Sequence, residues 1–172
     1  MTFLLRQAMD RDAETLARFA AEVFEEAFGA QNDPDDLAAY LAEAFGTEVQ
    51  AAEIADPAYR TLLLEVGGEL AGYAQLRRHP APDCVKTPEP IELKRFYLSA
   101  AHRGEGLAAR LMEAAAGAAA GFGGRSIWLG VWEENPRART FYRKCGFEDV
   151  GSQIFVVGTD PQRDRVLVRR LD

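Results

Sequence analysis

The stretch from residue 91 to residue 132 constrains the fold most, because its pattern changes from strand to helix and back to strand. Ile91–Ser99 and Ser126–Trp132 are predicted as strands, and Gly104–Gly121 between them as a helix. A strand, a helix and a strand in this order predict a right-handed crossover between two parallel strands of one sheet. The chain is therefore predicted to be an α/β (α+β) protein built on one β-α-β unit.

The elements around this unit predict antiparallel neighbours. Gly67-Gly68 separates two strand-like runs, residues 60–66 and 69–77, and both glycines tolerate the positive φ of a tight hairpin. The other predicted elements are a first strand at 2–6, helices at Asp12–Phe28 and Asp33–Phe45, a weaker helical stretch to about Ala55, a short helix at 136–145 and closing strands at 147–157 and 165–171. Together they predict a mixed, mostly antiparallel sheet in a single domain spanning residues 1–172.

Composition narrows the class of protein. A formal net charge of −7 over 172 residues argues against general nucleic-acid binding, which needs a basic surface. The sequence has no apolar run of about 18 residues that would span a membrane, and its N-terminus does not resemble a secretory signal. Cys84 and Cys145, with two histidines, lack metal-binding spacing, so no metal is expected. We expect a cytoplasmic protein with no nucleic-acid or membrane partner.

Charge is distributed unevenly along the chain. Residues 10–56 hold thirteen acidic residues and two arginines, a balance of −11, whereas the remainder has a balance of +4. Two interpretations stay open. The acidic segment is either a set of solvated helix faces, or a surface that attracts a cationic partner beside a basic half that holds an anionic one.

The glycine-rich turn at His102–Ala108 is a candidate anion site. Where a strand feeds a helix through small residues, several backbone N–H groups are exposed and the helix dipole favours negative charge. Two glycines let a ligand approach the backbone closely, and Arg103 adds a charged donor. The Rossmann pattern fails because Ala109 stands where its third glycine should be, and the P-loop Gly-Lys-Ser/Thr is absent. A tight turn without a ligand is the alternative.

A second candidate segment follows the strand that ends at Trp132. Asn135 suits a helix cap, and Pro136 suits the first helical turn because it needs no N–H bond there. Tyr142, in the helix that follows, has two interpretations. It is either a core aromatic residue with its hydroxyl at the edge, or a proton donor beside the glycine-rich turn.

Together these two segments resemble the GNAT superfamily of acyl-CoA-dependent N-acetyltransferases. The family's pyrophosphate loop, Arg/Gln-x-x-Gly-x-Gly/Ala, is matched at every defined position by residues 103–108. The downstream pattern, an Asn, a Tyr seven residues later and a Gly-Phe pair, is matched by Asn135, Tyr142 and residues 146–147. Segment 141–147 is most similar to PaiA-like members, a subgroup that includes polyamine acetyltransferases. The resemblance implies the GNAT fold, a seven-stranded sheet flanked by four or five helices, whose two parallel strands splay apart.

The resemblance also implies contacts with the cosubstrate acetyl-CoA. The pantetheine arm would pair with the backbone of Phe96, Tyr97 and Leu98, where the strand splays from its parallel partner, and Asn135 would bond the same arm. Arg137 and Arg139 are candidates for the 3′-phosphate. The pyrophosphate would bind the backbone N–H groups of the turn, Arg103, Gly104, Glu105, Gly106, Leu107 and Ala108.

Acetyl transfer to an amine needs a donor for the carbonyl oxygen, an acid for the thiolate and a base for the amine. We expect the Leu98 N–H to bind the carbonyl oxygen. Tyr142 would protonate the thiolate, since a phenol with a pKa near 10 stays protonated at neutral pH. In the ribosomal-protein branch of the family a glutamate serves as the general base. Gly130 occupies that position here, so the base of that branch is absent. Glu92 matches the base of the histone branch, and its alternative is an exposed strand carboxylate. Glu133 and Glu134 are weaker candidates.

The predicted function is direct transfer of an acetyl group to a small cationic primary amine such as a polyamine. In the family the two N-terminal helices wall the acceptor site, and here they lie in the acidic segment. The alternatives are acetylation of a protein N-terminus or lysine, acetylation of an antibiotic or toxin, and a non-catalytic acyl-CoA sensor. A homodimer is possible.

Overall fold

The computed structural model describes residues 2–172 and contains seven strands and five α-helices. The strands are β1 Phe3–Gln7, β2 Tyr59–Val66, β3 Glu69–Arg77, β4 Pro90–Leu98, β5 Ser126–Trp132, β6 Glu148–Val157 and β7 Asp160–Arg170. The helices are α1 Ala13–Phe28, α2 Pro34–Ala44, α3 Thr47–Ala55, α4 Leu107–Gly121 and α5 Pro136–Lys144. Among residues 2–172, no helix is both long enough and apolar enough to cross a membrane.

The strands form one sheet in the order β1-β2-β3-β4-β5-β7-β6. β4 and β5 run parallel, and every other neighbouring pair of described strands runs antiparallel. The predicted mixed, mostly antiparallel sheet and its β-α-β unit are therefore confirmed. The hairpin predicted at Gly67-Gly68 is also present, with φ values of +61° and +87°.

Two predicted boundaries move for reasons of turn geometry. Helix α4 begins at Leu107 rather than at residue 104, because Gly104 and Gly106 adopt φ values of +84° and +77° that no α-helix contains. Strand β7 begins at Asp160 rather than at residue 165, because a tight turn at residues 158–159 folds the chain back directly after β6. The last hairpin is therefore longer than predicted.

The sheet separates two cores, since side chains alternate between its faces. On one face, Ile127, Leu129 and Leu167 pack against α4, and Phe141 and Tyr142 of α5 join them. On the other face, α1 and α2 cover an aromatic cluster. This cluster includes Phe24, Phe28, Tyr40, Phe45, Tyr73 and Tyr97. The two faces are called the α4 face and the α1 face below.

A buried ion cluster joins α3 to β4. Glu53 accepts hydrogen bonds from Arg95 Nη1 at 2.6 Å, from Lys94 Nζ at 2.7 Å and from Gln75 Nε2 at 2.9 Å. Glu53 and Arg95 are only 9% and 7% exposed. Burial alone would raise the pKa of the Glu53 carboxyl, but the charge of Arg95 and the hydrogen bonds hold this pKa below its ordinary value.

β4 and β5 diverge soon after they meet. The two strands are paired only over their first three residues, and the last pair is Glu92 opposite Trp128. Beyond this point β5 continues its pairing with β7 as far as Trp132, whereas the edge of β4 that faces β5 is unpaired through Leu98. The resulting gap is called the β4–β5 cleft.

Candidate active site

A cavity of about 930 Å³ opens along the β4–β5 cleft. Its walls come from β3, β4, β5, β6, β7, α1, α2, α5 and the glycine-rich turn. Most of the predicted site residues line it, namely Glu92, Phe96, Tyr97, Leu98, Arg103, Gly104, Gly106, Ala108, Asn135 and Tyr142. Glu105 and Leu107 do not: the Glu105 carboxylate lies 3.2 Å from His102 Nδ1, and Leu107 is buried beneath the turn.

The glycine-rich turn presents backbone donors at the start of α4. The N–H groups of residues 104–109 have no backbone acceptor within residues 2–172, because the first intrahelical bond runs from Arg110 to Gly106 O. The Arg103 N–H already donates to Ala100 O at 3.3 Å, so Arg103 reaches the cavity through its side chain instead. A 15-residue helix that begins with free donors beside an arginine is suited to an anion such as a diphosphate.

The free edge of β4 supplies further donors. Ser99 N–H donates to Ala71 O on the β3 side, and N–H direction alternates along a strand. The N–H of Tyr97 therefore also faces β3, while those of Phe96 and Leu98 face the β4–β5 cleft. Of the three residues predicted to hold the pantetheine arm, two thus offer backbone donors, and Tyr97 contributes its ring to the cavity wall.

Tyr142 is a core aromatic residue that also lines the cavity. Its ring packs among Phe96, Phe141 and Phe147 with centroid distances of 6.2, 5.4 and 5.7 Å, and the same residue lines the cavity. Burial raises the pKa of the phenol well above its ordinary value. The hydroxyl is therefore held in its protonated form, as a proton donor requires.

Asn135 caps α5, as the sequence predicts. Its Oδ1 accepts from Ala138 N at 3.2 Å, and Pro136 occupies the first turn. The cap commits the amide oxygen and leaves the Nδ2 group as the donor for a ligand. Arg137 lines the cavity, whereas Arg139 donates to Glu133 O at 3.3 Å and lies outside the lining.

Glu92 lies on the cavity wall at the closed end of the cleft. Arg77, opposite it on β3, donates from Nε to Glu92 Oε2 at 2.6 Å, and its Nη2 lies 2.5 Å from the same oxygen. The carboxylate is therefore already engaged by a cation.

Sequence reasoning missed a second carboxylate, Asp164 on β7. It lines the cavity and is 6% exposed, and its carboxylate has no hydrogen bond or ion pair within residues 2–172. Burial raises the pKa of its carboxyl to about 6. A Cβ added at Gly130 would lie 2.8 Å from Asp164 Oδ2 and 2.6 Å from Gln153 Nε2. A glycine inside a strand indicates such a close approach, and it is the one sequence signal for this residue.

Aromatic rings surround the part of the cavity on the α1 face. Phe28 lies 6.3 Å from Trp132, and Tyr40 lies 5.7 Å from Phe155, measured between ring centroids. These four rings and Tyr97 all line the cavity. We call this part the aromatic chamber. Its walls suit a ligand with an apolar or cationic body, since aromatic faces attract both.

Most carboxylates of the acidic segment have structural partners or face solvent. Asp12 binds Arg6, Asp36 accepts from Thr159, and Asp33 caps α2. Of the thirteen acidic residues in 10–56, Glu26 is the one that lines the cavity, and it is exposed. The segment is therefore mainly structural and solvated, with one member at the cavity wall.

Comparison with known proteins relates this architecture to one family. The family described as Acetyltransferase (GNAT) matches residues 19–147. An uncharacterized N-acetyltransferase of Lactobacillus delbrueckii subsp. lactis is 32% identical over 165 residues, covering 96% of this chain and 95% of the relative.

Solved structures share the fold at lower identity. The PaiA N-acetyltransferase of Thermoplasma acidophilum, solved in complex with coenzyme A, has a TM-score of 0.80 and 19% identity, with 99% of both chains covered. A spermidine N-acetyltransferase SpeG chimera from Vibrio cholerae and hSSAT has a TM-score of 0.71 and 21% identity, covering 99% of this chain and 96% of that one.

Proposed function

Because this chain belongs to the GNAT acetyltransferase family and is an acyl-CoA-dependent N-acetyltransferase, we propose that it acetylates a small cationic primary amine, such as a polyamine, by direct transfer within a ternary complex. The observation that carries the proposal is the convergence of three features on one cavity. These are the free N–H groups of the glycine-rich turn, the unpaired edge of β4 and the protonated Tyr142.

The residues around the cleft fit acetyl-CoA, which supplies the acetyl thioester. The N–H groups of residues 104–108 bind the pyrophosphate, with the Arg103 side chain as a charged donor. The inward N–H group of Phe96 and the Nδ2 group of Asn135 bind the pantetheine arm. Arg137 is placed for a phosphate at the cavity wall.

Two groups assist the transfer itself. The Leu98 N–H donates to the thioester carbonyl oxygen and stabilises the negative charge that develops there. Tyr142 donates its proton to the departing sulfur, which would otherwise leave as a thiolate beside an apolar wall. Glu92, the base predicted from the sequence, stays a prediction.

The proposed acceptor is supported by the negative charge of the cavity and by the similarity of the fold to that of a spermidine N-acetyltransferase. Glu26 and Asp164 line the cavity beside aromatic rings that attract cations. A solved relative of the same fold is named as a spermidine N-acetyltransferase. A cationic amine is therefore favoured over a neutral or anionic acceptor.

A CoA-release assay tests the function with acetyl-CoA and a panel of spermidine, spermine, lysine, aminoglycosides and short peptides. We expect release with spermidine or spermine, at a rate that salt reduces because ions screen the exposed Glu26. Release with peptides alone would redirect the proposal to protein acetylation. No release with any amine, while acetyl-CoA still raises the melting temperature, would favour an acyl-CoA sensor.

Substitution of Gly106 by alanine is expected to weaken acetyl-CoA binding by about tenfold or more. The residue has φ +77°, a conformation that costs about 1–2 kcal/mol for a residue with a Cβ. Gly106 lines the cavity and an added Cβ would meet no protein atom within 4 Å, so the methyl group would enter the open space in which we propose the pyrophosphate binds. Isothermal titration calorimetry measures the effect.

Gly117→Ala is the matched control for this change. Gly117 lies in the middle of α4, where an added Cβ also meets nothing within 4 Å. The control should stabilise the helix by about 0.5–1 kcal/mol and leave the Kd for acetyl-CoA unchanged. Equal affinities in the two variants would contradict pyrophosphate binding at the turn.

A further inference from the structure

Asp164 is a buried carboxylate without a partner. Buried acidic groups are normally paired or hydrogen-bonded, because removing a charge from water is costly. Asp164 is only 6% exposed and lines the cavity, and its carboxylate has no bonded partner within the described chain. The buried acid Glu53, by contrast, has three partners. An unpaired carboxylate aimed into a cavity points to a cationic ligand.

Asp164 lies beside the open part of the cleft. It is opposite Trp132 in the β5–β7 pairing, and its Oδ2 would lie 2.8 Å from a Cβ on Gly130. Gly130 is two residues beyond Trp128, where β4 and β5 stop pairing. The carboxylate therefore approaches the backbone of β5 in the segment that lines the open part of the cleft.

Tyr142, the proposed acid, and the Asp164 carboxylate lie on opposite faces of the sheet. Tyr142 packs with the core of the α4 face, together with Leu129. Gly130 and Asp164 belong to the alternate set of side chains and face the aromatic chamber on the α1 face. A thioester held in the cleft would thus direct its sulfur towards Tyr142 and receive an amine from the side of Asp164.

The other carboxylates of the cavity are less suited to this role. Glu92 is bound by Arg77 at 2.6 Å, and Glu26 is exposed. Glu133 and Glu134 do not line the cavity. The raised pKa of Asp164, about 6, lies closer to neutral pH than that of an ordinary aspartate, which favours proton transfer in a catalytic base.

We propose that Asp164 binds the ammonium group of the acceptor on the α1 face and accepts the proton that the nitrogen loses during transfer. This inference rests on the proposed function and identifies the base that the sequence left uncertain. The bound ammonium first gives one proton to Asp164, which releases it to solvent and ionises again. The lone pair of the resulting neutral amine forms the C–N bond, the second proton of the nitrogen passes to Asp164, the C–S bond breaks, and the sulfur takes a proton from Tyr142. Asp164 then releases its proton to solvent, and solvent restores the Tyr142 proton.

Asp164→Asn tests the assignment by removing the charge at nearly constant shape. We expect kcat/KM to fall by about 10²–10⁴-fold, while the Kd for acetyl-CoA stays within about twofold. Wild-type kcat/KM should show an acid limb near pH 6, because protonated Asp164 cannot accept a proton, and the variant should lack this limb. Spermidine should raise the melting temperature of the wild type but not of the variant.

Stability separates this role from a structural one. The folded pKa of Asp164 lies above the unfolded value, so its ionised form destabilises the fold above about pH 6, and this cost disappears as the pH falls towards 4. Asp164→Asn should therefore melt at a temperature equal to or above that of the wild type at pH 8, with a smaller difference at pH 4. A structural aspartate would give a lower melting temperature at pH 8.

Two further variants complete the test. Asp149→Asn makes the same change on β6, where the carboxylate is exposed and paired with Arg165 at 2.7 Å, and should leave kcat/KM unchanged. Glu92→Gln tests the competing base. The proposal is overturned if Asp164→Asn stays within threefold of wild-type kcat/KM, if it loses acetyl-CoA binding, or if Glu92→Gln alone removes the acid limb.

Failure of the proposed function gives a different pattern. A wild type that acetylates no amine in the panel would contradict the function, whereas an active wild type with an active Asp164→Asn variant would contradict only the assignment. Absence of any amine-dependent change in wild-type melting temperature would overturn ammonium binding at Asp164 whatever the turnover shows.

Discussion

Tyr142→Phe is expected to lower turnover by about 10²–10⁴-fold and to leave the affinity for acetyl-CoA within about twofold. The change removes the hydroxyl alone, so the ring keeps its contacts with Phe96, Phe141 and Phe147 and the cavity keeps its shape. The loss arises because the sulfur must then leave as a thiolate next to apolar rings, without a proton donor. Steady-state kinetics with the best amine of the panel and calorimetry with acetyl-CoA measure the two quantities.

Tyr59→Phe provides the matched control. Tyr59 lies on β2 outside the cavity, and its hydroxyl accepts from Lys94 Nζ at 3.3 Å. Removal of that hydroxyl should leave turnover within about twofold. If Tyr142→Phe retained wild-type turnover, Tyr142 would not be the acid, and a water molecule or the solvent would have to protonate the sulfur.

Glu53→Ala is expected to lower the free energy of unfolding by about 3–5 kcal/mol. In the wild type, Arg95 is only 7% exposed and its guanidinium lies 2.6 Å from the Glu53 carboxylate. The substitution removes that carboxylate and leaves the buried charge of Arg95 unbalanced. It also deletes the link between α3 and β4, including the bonds to Lys94 and Gln75. Urea denaturation followed by circular dichroism measures the change.

The control for Glu53 is an ion pair at the surface. Glu113 pairs with Arg169 at 2.9 Å, but its side chain is 65% exposed, so Glu113→Ala should cost at most about 1 kcal/mol. Because the folded pKa of Glu53 is depressed, its contribution is present above the ordinary pKa of a glutamate and is lost as the pH falls through the folded value. The difference between the two variants should therefore shrink in acid. Equal losses at pH 7 would contradict the account.

Local signals were sufficient to predict much of the fold. The Gly67-Gly68 hairpin, the cap at Asn135 and the strand–helix–strand unit each depend on residues close together in sequence, and all three are present. Boundaries were less predictable where a turn depends on its exact φ values, as at Gly104 and at the start of β7. Hydrophobic pattern alone does not encode such values.

The residues of the candidate site were predictable only where they lie within one continuous sequence motif. The glycine-rich turn and Tyr142 lie within recognisable motifs, and both line the cavity. Asp164 belongs to no motif, because its position near Gly130 arises from the pairing of β5 with β7. The charge of residues 10–56 was a weaker guide, since carboxylates such as Asp12 and Glu53 are used within the fold.

The divergence of β4 and β5 has a consequence for how the molecule responds to its cosubstrate. Strands β1–β4 form one continuously paired group and β5–β7 form another, and only three residue pairs join their backbones, although both groups share the core of the α4 face. The backbone link between the two units is therefore the weakest in the sheet, and we expect the lowest amide protection along the inner margin of β4. A ligand that bonds to both Leu98 and Asn135 would couple these units, so that hydrogen exchange should slow on both sides of the cleft at once.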